Sequence, residues 1–344
     1  MGVFWYNNLE REVVMPQENT KKLSILYLLK VLKEYSDENH PLTQEQIAKK
    51  IEAMSGIVCE RKSIASNISN LIDFGFDIQK VVGKKGVYLA QREFEPSEIS
   101  FLVDAVFSCK SVGSKQAREL AQKLSNTLSV YEQKKYNYVY KTDEVSRTNN
   151  KQIFYNIEII HRAIEDNKQI SFIYNKYDID GNLVPRKQKP YTINPYFMVN
   201  SMGNYYLVCN NNYFDKIANF RIEEITNIKI LNTDIKPVTK LVGYEKGLDI
   251  AKYINSNVYM FGDNQIDVKL KIDNEYMVSQ VRKWFGKNVK VKEQDGVFYG
   301  YLTTSEMSII YWALQYCENV EIVEPISTRE KIKNIAKNLN ERYK

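Results

Sequence analysis

Apolar residues recur at helical spacing from residue 21 to 35. Leu23, Leu26, Tyr27 and Val31 fall on one face, and Leu28, Leu29 and Leu32 widen it, so a well-buried first helix is expected. His40-Pro41-Leu42 ends that helix. Thr43-Gln44-Glu45-Gln46 has the pattern of a capping box, which predicts a second helix from Gln44 to about Met54. Ser55-Gly56 turns the chain, and a third helix is predicted from about Glu60 to Phe74, stopped by Gly75. Residues 78–82 and 87–90 then read as two strands around Gly83-Lys84-Lys85-Gly86. Three helices and a hairpin, with a short glycine-containing turn between the second and third helices, is the order of a winged helix-turn-helix.

The pattern changes after residue 93. Glu95-Pro96-Ser97-Glu98 opens a helix carrying Phe101, Leu102, Val103, Ala105 and Val106, and residues 115–135 are helical again. These helices read as a connector whose apolar face packs on something, such as a second copy of the chain. Residues 141–150 are polar and read as a linker. A helix over 153–166 precedes short strands at 170–174, 187–197, 205–209, 218–222 and 226–231. Turns are expected at Asp180-Gly181-Asn182 and Met202-Gly203-Asn204. Several short strands of this kind predict a small β-barrel. A further mixed module follows: strand 266–272, helix 275–285, hairpin 289–293 and 297–303, helix 305–317, strand 320–323 and helix 328–342. The expected fold is α+β. Its parts are a flexible arm (1–20), a winged helix-turn-helix (21–92), a helical connector and linker (93–150), a barrel domain (151–240) and a C-terminal α/β extension (250–344).

Composition narrows the chemistry. The 344 residues carry 48 basic and 42 acidic side chains, a net charge of +6, which permits nucleic-acid binding without demanding it. The four cysteines, Cys59, Cys109, Cys209 and Cys317, are far apart, so neither a disulfide framework nor a structural zinc site is expected, and a reducing compartment fits. His40 and His161 are the only histidines, which excludes catalysis built on several histidines. The start, Met1-Gly2-Val3-Phe4-Trp5-Tyr6, is too short and uncharged for a signal peptide. No stretch has the apolar length of a membrane span. A cytoplasmic protein with no membrane association is expected. No phosphate loop, HExxH, GxSxG or paired-carboxylate motif occurs, so neither an enzyme nor a cofactor or bound metal is expected. Cys109 reads as core, and Glu223-Glu224 as a solvated pair.

The third helix has the chemistry of a DNA-reading element. Ile64, Ile68, Leu71 and Ile72 share one face, expected to pack on the first two helices. Lys62, Ser63, Ser66, Ser69 and Asn70 lie away from it, and no acid falls between Arg61 and Asn70. A helix entering the major groove needs low bulk, hydrogen-bonding tips and no carboxylate facing phosphate. The candidate DNA contacts are therefore Arg61, Lys62, Ser63, Ser66, Asn67 and Asn70, with Lys84 and Lys85 at the hairpin tip lying along a phosphate strand. A solvated helix in a small helical domain would also present a polar outer face.

The stretch from Arg61 to Ile78, and Gly86-Val87-Tyr88-Leu89 after it, resembles the recognition helix and wing of bacterial WYL-domain regulators. Asn194-Pro195-Tyr196-Phe197-Met198-Val199, Gly203-Asn204-Tyr205-Tyr206-Leu207-Val208 and Phe220-Arg221-Ile222-Glu223-Glu224-Ile225 resemble the WYL domain itself. Tyr205-Tyr206-Leu207 stands for the eponymous Trp-Tyr-Leu, and Glu224 stands where the family has Arg. Residues 265–342 resemble the C-terminal extension of the family, on Trp284, Asp295-Gly296, Trp312-Ala313-Leu314 and Val320-Glu321-Ile322-Val323-Glu324-Pro325. The resemblance implies an Sm-like barrel with a ligand site at Tyr206, Arg221, Ser171 and Tyr174. Tyr205, Lys187 and Lys189 are added as neighbouring candidates.

An arginine can hold a phosphate bidentately and a tyrosine can stack on a base. Equally, the tyrosines can be barrel core and Arg221 can pair with Glu223 or Glu224. The expected protein is a homodimeric transcriptional regulator that binds double-stranded DNA and senses an anionic ligand, a nucleotide or single-stranded nucleic acid. The alternative is an accessory protein that binds nucleic acid or a partner and modulates a CRISPR or other defence effector.

Overall fold

The structure, a computed structural model, describes residues 17–134, 148, 150–287 and 289–344. These fall into two compact units, one drawn from Met1–Ser108 and Ser114–Val145, the other from Cys109–Gly113 and Ser146–Lys344. The architecture is mixed α/β, with helices in the first unit and a curled antiparallel sheet in the second.

In the first unit α1 (Gln17–Tyr35), α2 (Gln44–Ser55) and α3 (Arg61–Phe74) enclose a core of Leu28, Val31, Leu32, Ile47, Ile51, Ile64 and Leu71. Helix α1 begins at Gln17, inside the segment expected to be a loose arm; the rest of that segment, 1–16, lies outside the described residues. The capping box at Thr43 is formed: its hydroxyl accepts from the Gln46 N–H, and the Gln46 side chain accepts from the Thr43 N–H. The periodicity overstated two faces. Leu26 is exposed, the buried line of α1 being Ser24, Leu28, Val31 and Leu32, and Ile72 is 47% exposed on α3. An apolar face wider than its partner helices leaves its margin in solvent.

The hairpin of β1 (Ile78–Gln79) and β2 (Tyr88–Leu89) is shorter than expected, and a third segment joins it. Leu42 and Val87 exchange both backbone hydrogen bonds, at 2.8 and 2.9 Å. Gly86, with φ +115°, lets this happen, since a Cβ there would sit 2.6 Å from the Leu42 carbonyl.

The connector forms as α4 (Pro96–Ser108), α5 (Ser114–Ser125) and the short α6 (Val130–Gln133). The expected single helix over 115–135 is broken where Ser129 caps α6 by accepting from the Glu132 N–H. Ile99, Val103, Ala121 and Leu128 are buried together, whereas Phe101 is 75% exposed. The expected linker at 141–150 lies mostly outside the described residues. Its end is not a loose tether, because Thr148 and Asn150 are buried.

In the second unit α7 (Ile153–Glu165) packs against a sheet of β3 (Lys168–Tyr177), β4 (Leu183–Pro185), β5 (Tyr191–Ser201), β6 (Asn204–Asn210), β7 (Ile217–Arg221) and β8 (Ile225–Asp234). The strand order is β4-β3-β5-β6-β7, with β8 paired to β3. β4 and β5 both pair with β3, so a bend at 186–190 interrupts what was expected to be one extended run from residue 187. Met202 (φ 51°) and Gly203 (φ 77°) form the tight β5–β6 turn with both central residues left-handed, the twist two-residue hairpins favour. A single 3-10 turn, Ile222–Glu224, returns the chain from β7 to β8. Among the described residues no ladder closes β7 onto β8, so the expected barrel is a half-barrel.

After α8 (Ile250–Ser256), which the pattern did not predict, comes a four-stranded antiparallel sheet. Its elements are β9 (Gln265–Ile272), α9 (Glu275–Phe285), β10 (Lys290–Gln294), β11 (Val297–Ser305), α10 (Glu306–Gln315), β12 (Val320–Glu324) and α11 (Ile326–Arg342). The strand order β10-β11-β9-β12 on a βαββαβ chain is the split βαβ arrangement. Val268, Leu270 and Ile272 of β9 turn inward against Met277, Val281, Ile309 and Trp312.

Candidate nucleic-acid interface and ligand site

On α3 the side chains of Arg61, Lys62, Ser63, Ser66, Ser69 and Asn70 are exposed, while Ile64 and Leu71 are buried. No carboxylate interrupts the helix from Arg61 to Ile72. Arg61 approaches Glu45 of α2 at 3.8 Å, an exposed pair that leaves the guanidinium available to solvent. Asn67 departs from the candidate set. Its amide donates to the Ser24 hydroxyl at 3.0 Å, so it fastens α3 to α1 and does not belong to the outer face. Lys84 and Lys85 are exposed at the hairpin tip; the Lys84 ammonium donates to the Asn39 carbonyl at 3.3 Å, which holds it beside the connection between α1 and α2.

The second cluster is built around the turn at Ile222–Glu224. Three buried asparagines hold its carbonyls. Asn156 of α7 donates to Ile222 and Ile225, Asn150 to Glu223 and Ile225, and Asn175 of β3 to Glu224. A buried turn whose carbonyls lack such partners would be costly, so the asparagines are what allow two glutamates to sit on it inside the protein. Glu223 and Glu224 are only 4% and 6% exposed, against the expectation of a solvated pair.

Cations and hydroxyls surround these carboxylates. Arg221 lies 3.9 Å from Glu223 and 3.9 Å from Glu224, and Arg186 donates to Glu224 at 3.3 Å. Ser111 donates to Glu223 at 2.8 Å and accepts from the Tyr205 N–H at 2.8 Å. Burial pushes the Glu223 carboxyl above its ordinary value, although its hydrogen bonds and Arg221 pull the other way. Burial works against the charge of Arg221, but Tyr206 and the two carboxylates outweigh it and keep the guanidinium above its ordinary pKa. Tyr174 is raised by burial and by the Glu224 carboxylate, and its hydroxyl accepts from the Arg221 N–H at 3.3 Å. The Arg186 guanidinium stacks over the Tyr174 ring, 4.7 Å from its centre.

The predicted ligand residues divide. Tyr174, Tyr206 and Arg221 meet at this cluster, Tyr206 pairing with Arg221 across β6 and β7 with the guanidinium 6.0 Å from its ring. Lys187 caps the Tyr191 ring at 3.6 Å, and Lys189 is exposed in the same bend. Tyr205 points to the opposite pleat from Tyr206 and packs with Leu207 and Cys209 in the sheet core. Ser171 falls on the opposite pleat from Phe172 and Tyr174, so it does not join the cluster. Sequence reasoning missed Ser111, Asn150, Asn156, Asn175 and the pairing of Arg186 with Glu224. Cys109, expected in a core, is half-buried with the Asn200 amide 3.7 Å from its sulfur.

Both guanidiniums are roughly half exposed, at 39% for Arg221 and 48% for Arg186, so their outer N–H groups face solvent while the inner ones meet buried carboxylates. An anion arriving from solvent meets two oriented forks, weakened by the internal negative charge. Among the described residues no group of three or more His, Cys, Asp or Glu could hold a metal ion, and no helix is long and apolar enough to cross a membrane.

Comparison with known proteins matches one family model, the WYL domain, over residues 155–230. No curated protein matches the chain. Among solved structures, proteasome accessory factor B/C (PafBC) of Arthrobacter aurescens is 14% identical with a TM-score of 0.32; the match covers 97% of this chain and 51% of that one, so the chain spans about half its length. A crystal structure described as a CRISPR Cas-related protein is 14% identical with a TM-score of 0.39, covering 95% of this chain and 85% of that one. The matched span runs from α7 through β8 and includes the clustered Arg186, Tyr206, Arg221 and Glu224, so the half-barrel is the part of the chain that matches the WYL domain.

Proposed function

We propose that the chain is a DNA-binding transcriptional regulator in which α3, the third helix of a winged helix-turn-helix, enters the major groove and the Lys84-Lys85 tip lies along the backbone. The observation that carries this reading is the outer face of α3: six exposed basic, hydroxyl or amide side chains with no carboxylate among them. Lys62, Ser66 and Asn70 recur at helical spacing on that face and are the base-reading candidates, with Arg61 anchoring phosphate. One short recognition helix gives limited affinity, so the regulator acts as a homodimer on two half-sites.

In this reading the WYL domain is the sensor. Arg186 and Arg221, oriented by Glu224 and Glu223, receive an anionic ligand such as a nucleotide, and occupancy changes DNA affinity.

The test is binding of the purified chain to duplex DNA from its own upstream region against scrambled duplex, over a salt series, with Lys62→Ala/Ser66→Ala as control. Sequence-selective binding lost in the variant supports the regulator. Equal weak binding to both duplexes, unchanged in the variant, removes autoregulation at that site. If Arg221→Ala then abolishes the cellular function while Lys62→Ala does not, the accessory-protein reading replaces it.

A further inference from the structure

His40, one of only two histidines in the chain, sits where the three-helix core, the hairpin and the connector meet within the first unit. Its ring lies flat on Tyr131 of α6, with ring centres 3.7 Å apart and planes 10° from parallel. Its Nδ1 is 2.7 Å from the Asp37 carboxylate. The same carboxylate oxygen accepts from the Asn39 and His40 N–H groups at 3.0 and 2.9 Å, and the other oxygen accepts from Ser129, the cap of α6, at 2.6 Å. One carboxylate thus folds residues 37–40 and fastens them to α6.

That fold reaches the hairpin. It presents the Asn39 carbonyl to the Lys84 ammonium, which donates to it at 3.3 Å. Two residues past His40, Leu42 exchanges its backbone hydrogen bonds with Val87. A run of contacts therefore leads from Ser129 and Tyr131, through Asp37 and His40, to the hairpin tip.

Other charged and titratable groups frame the ring. Arg92, after β2, donates to the carbonyls of Lys33, Ser36 and Thr127 at 2.8, 2.6 and 3.1 Å, and lies in the field of the Asp37 and Glu132 carboxylates. The Tyr35 phenol of α1 is raised by its hydrogen bond to Glu34, by burial, and by Glu34 and Tyr131 nearby. Glu38 and Lys84 are exposed. Burial pushes the Asp37 carboxyl up, but Ser129 and His40 outweigh it and hold it below its ordinary value, so it stays ionised near neutrality. Histidine ordinarily changes charge between pH 5 and 8, and at 44% exposure the His40 ring can trade its proton with solvent. A proton there strengthens two contacts at once. The hydrogen bond to Asp37 becomes an ion pair, and the stack on Tyr131 becomes a cation–π contact.

We propose that His40 is a proton-controlled clasp between α6 and the hairpin: as imidazolium it locks residues 37–40 onto α6 and sets Lys84 for the duplex backbone, and as neutral imidazole it releases them. It is a positioning residue that acts through Lys84, whose ammonium keeps further protons for phosphate. The clasp rests on the contacts above; its effect on DNA rests on the regulator reading.

Two readouts on the full chain, each at about pH 6 and about pH 8, test this. Hydrogen exchange needs no DNA, and comparison with His40→Gln at the same pH cancels the intrinsic rates. The Leu42 and Val87 amides are expected to exchange about threefold or more slower in the unsubstituted chain at the lower pH, with the difference gone at the higher. Affinity for a duplex from the chain's own upstream region is expected to fall about threefold or more between the two pH values. His40→Gln, Lys84→Ala and Tyr131→Ala flatten that dependence; Tyr131→Phe restores it, because the stack survives loss of the hydroxyl, and His161→Gln keeps it. A protection difference that is absent or equal at both pH values, or a pH dependence of binding that survives in His40→Gln, overturns the proposal. Protection that follows pH in a chain that binds no duplex upholds the clasp and removes the regulator reading.

Discussion

The hydroxyl of Ser111 donates to the buried carboxylate of Glu223 at 2.8 Å, across 112 positions of sequence. The same oxygen accepts from the Tyr205 N–H, the first residue of the Tyr-Tyr-Leu triplet. Lys110 is fixed alongside, its N–H donating to the Gly203 carbonyl at 2.6 Å and its carbonyl accepting from Thr148. Five residues between two helices of the first unit thus belong to the second unit, held against the half-barrel. Ser111→Ala strips a buried carboxylate and a half-buried N–H of a partner at once. It is expected to lower stability by about 1–3 kcal/mol, read as a reduced urea midpoint with an unchanged denaturant slope.

Glu223 also gives a pH signature. Its carboxyl is raised in the folded protein, chiefly by burial, so the native state binds its proton more tightly than the unfolded chain. That contribution to stability is fully present below the unfolded value and is lost as pH rises through the folded one. Relative to the unsubstituted chain, Glu223→Gln should therefore gain stability progressively as pH rises from the ordinary glutamate range toward neutrality. Urea titrations of both proteins across that range measure it; a constant difference would show that ionisation of Glu223 costs the fold nothing.

Gly86 holds the hairpin to the segment before α2. With φ +115° and Leu42 backbone atoms 2.6 Å from where a Cβ would sit, Gly86→Ala meets both a disfavoured backbone conformation and a backbone clash. A loss of about 1–3 kcal/mol or more is expected. Hydrogen exchange should locate it, with the Leu42 and Val87 amides losing protection first.

Asn67 and Lys62 stand on one helix but should behave differently. Asn67→Ala removes the bond to Ser24 and should cost about 1 kcal/mol of stability with little change in DNA affinity per folded molecule. Lys62→Ala should leave the melting temperature unchanged and weaken duplex binding. Calorimetry and duplex titrations on the two variants separate the roles, and a large affinity loss in Asn67→Ala would return that residue to the interface.

Glu224 contacts both Arg186 and Arg221, so it competes with any anion for them. Glu224→Gln keeps the shape and removes the charge. Phosphate affinity at this cluster is expected to rise about tenfold, equivalent to ~1.4 kcal/mol. Isothermal titration with phosphate checks this, with Arg221→Ala as the matching loss. Unaltered affinity in Glu224→Gln would place the anion elsewhere.

Local signals made much of the fold legible. The capping box at Thr43, the stop at Gly75 and the 275–285 helix stand where pattern put them, because caps and periodicity act over a few residues. Side-chain destinations were less legible. Nothing local tells Asn150, Asn156 and Asn175 that they will meet at one turn, or Ser111 that a glutamate lies 112 positions ahead. Leu26, Ile72 and Phe101 fit an apolar stripe, yet solvent reaches them, since periodicity gives a direction and not the width of what covers it. Conversely, the alternation Val268-Lys269-Leu270-Lys271-Ile272 does state which side chains leave the core, and the structure adds which tyrosines they find there.

The placement of Cys109–Gly113 has a consequence for inheritance. The chain passes between the two units three times, at 108/109, 113/114 and 145/146. A modular protein with one crossing can trade its reader for another by a single recombination event. Here any exchange that splits the chain between α4 and α7 separates either α5 from α4 or Ser111 from Glu223. The α4–α6 helices and the half-barrel are therefore expected to travel together through descent, each lineage matching its five-residue segment to its own half-barrel.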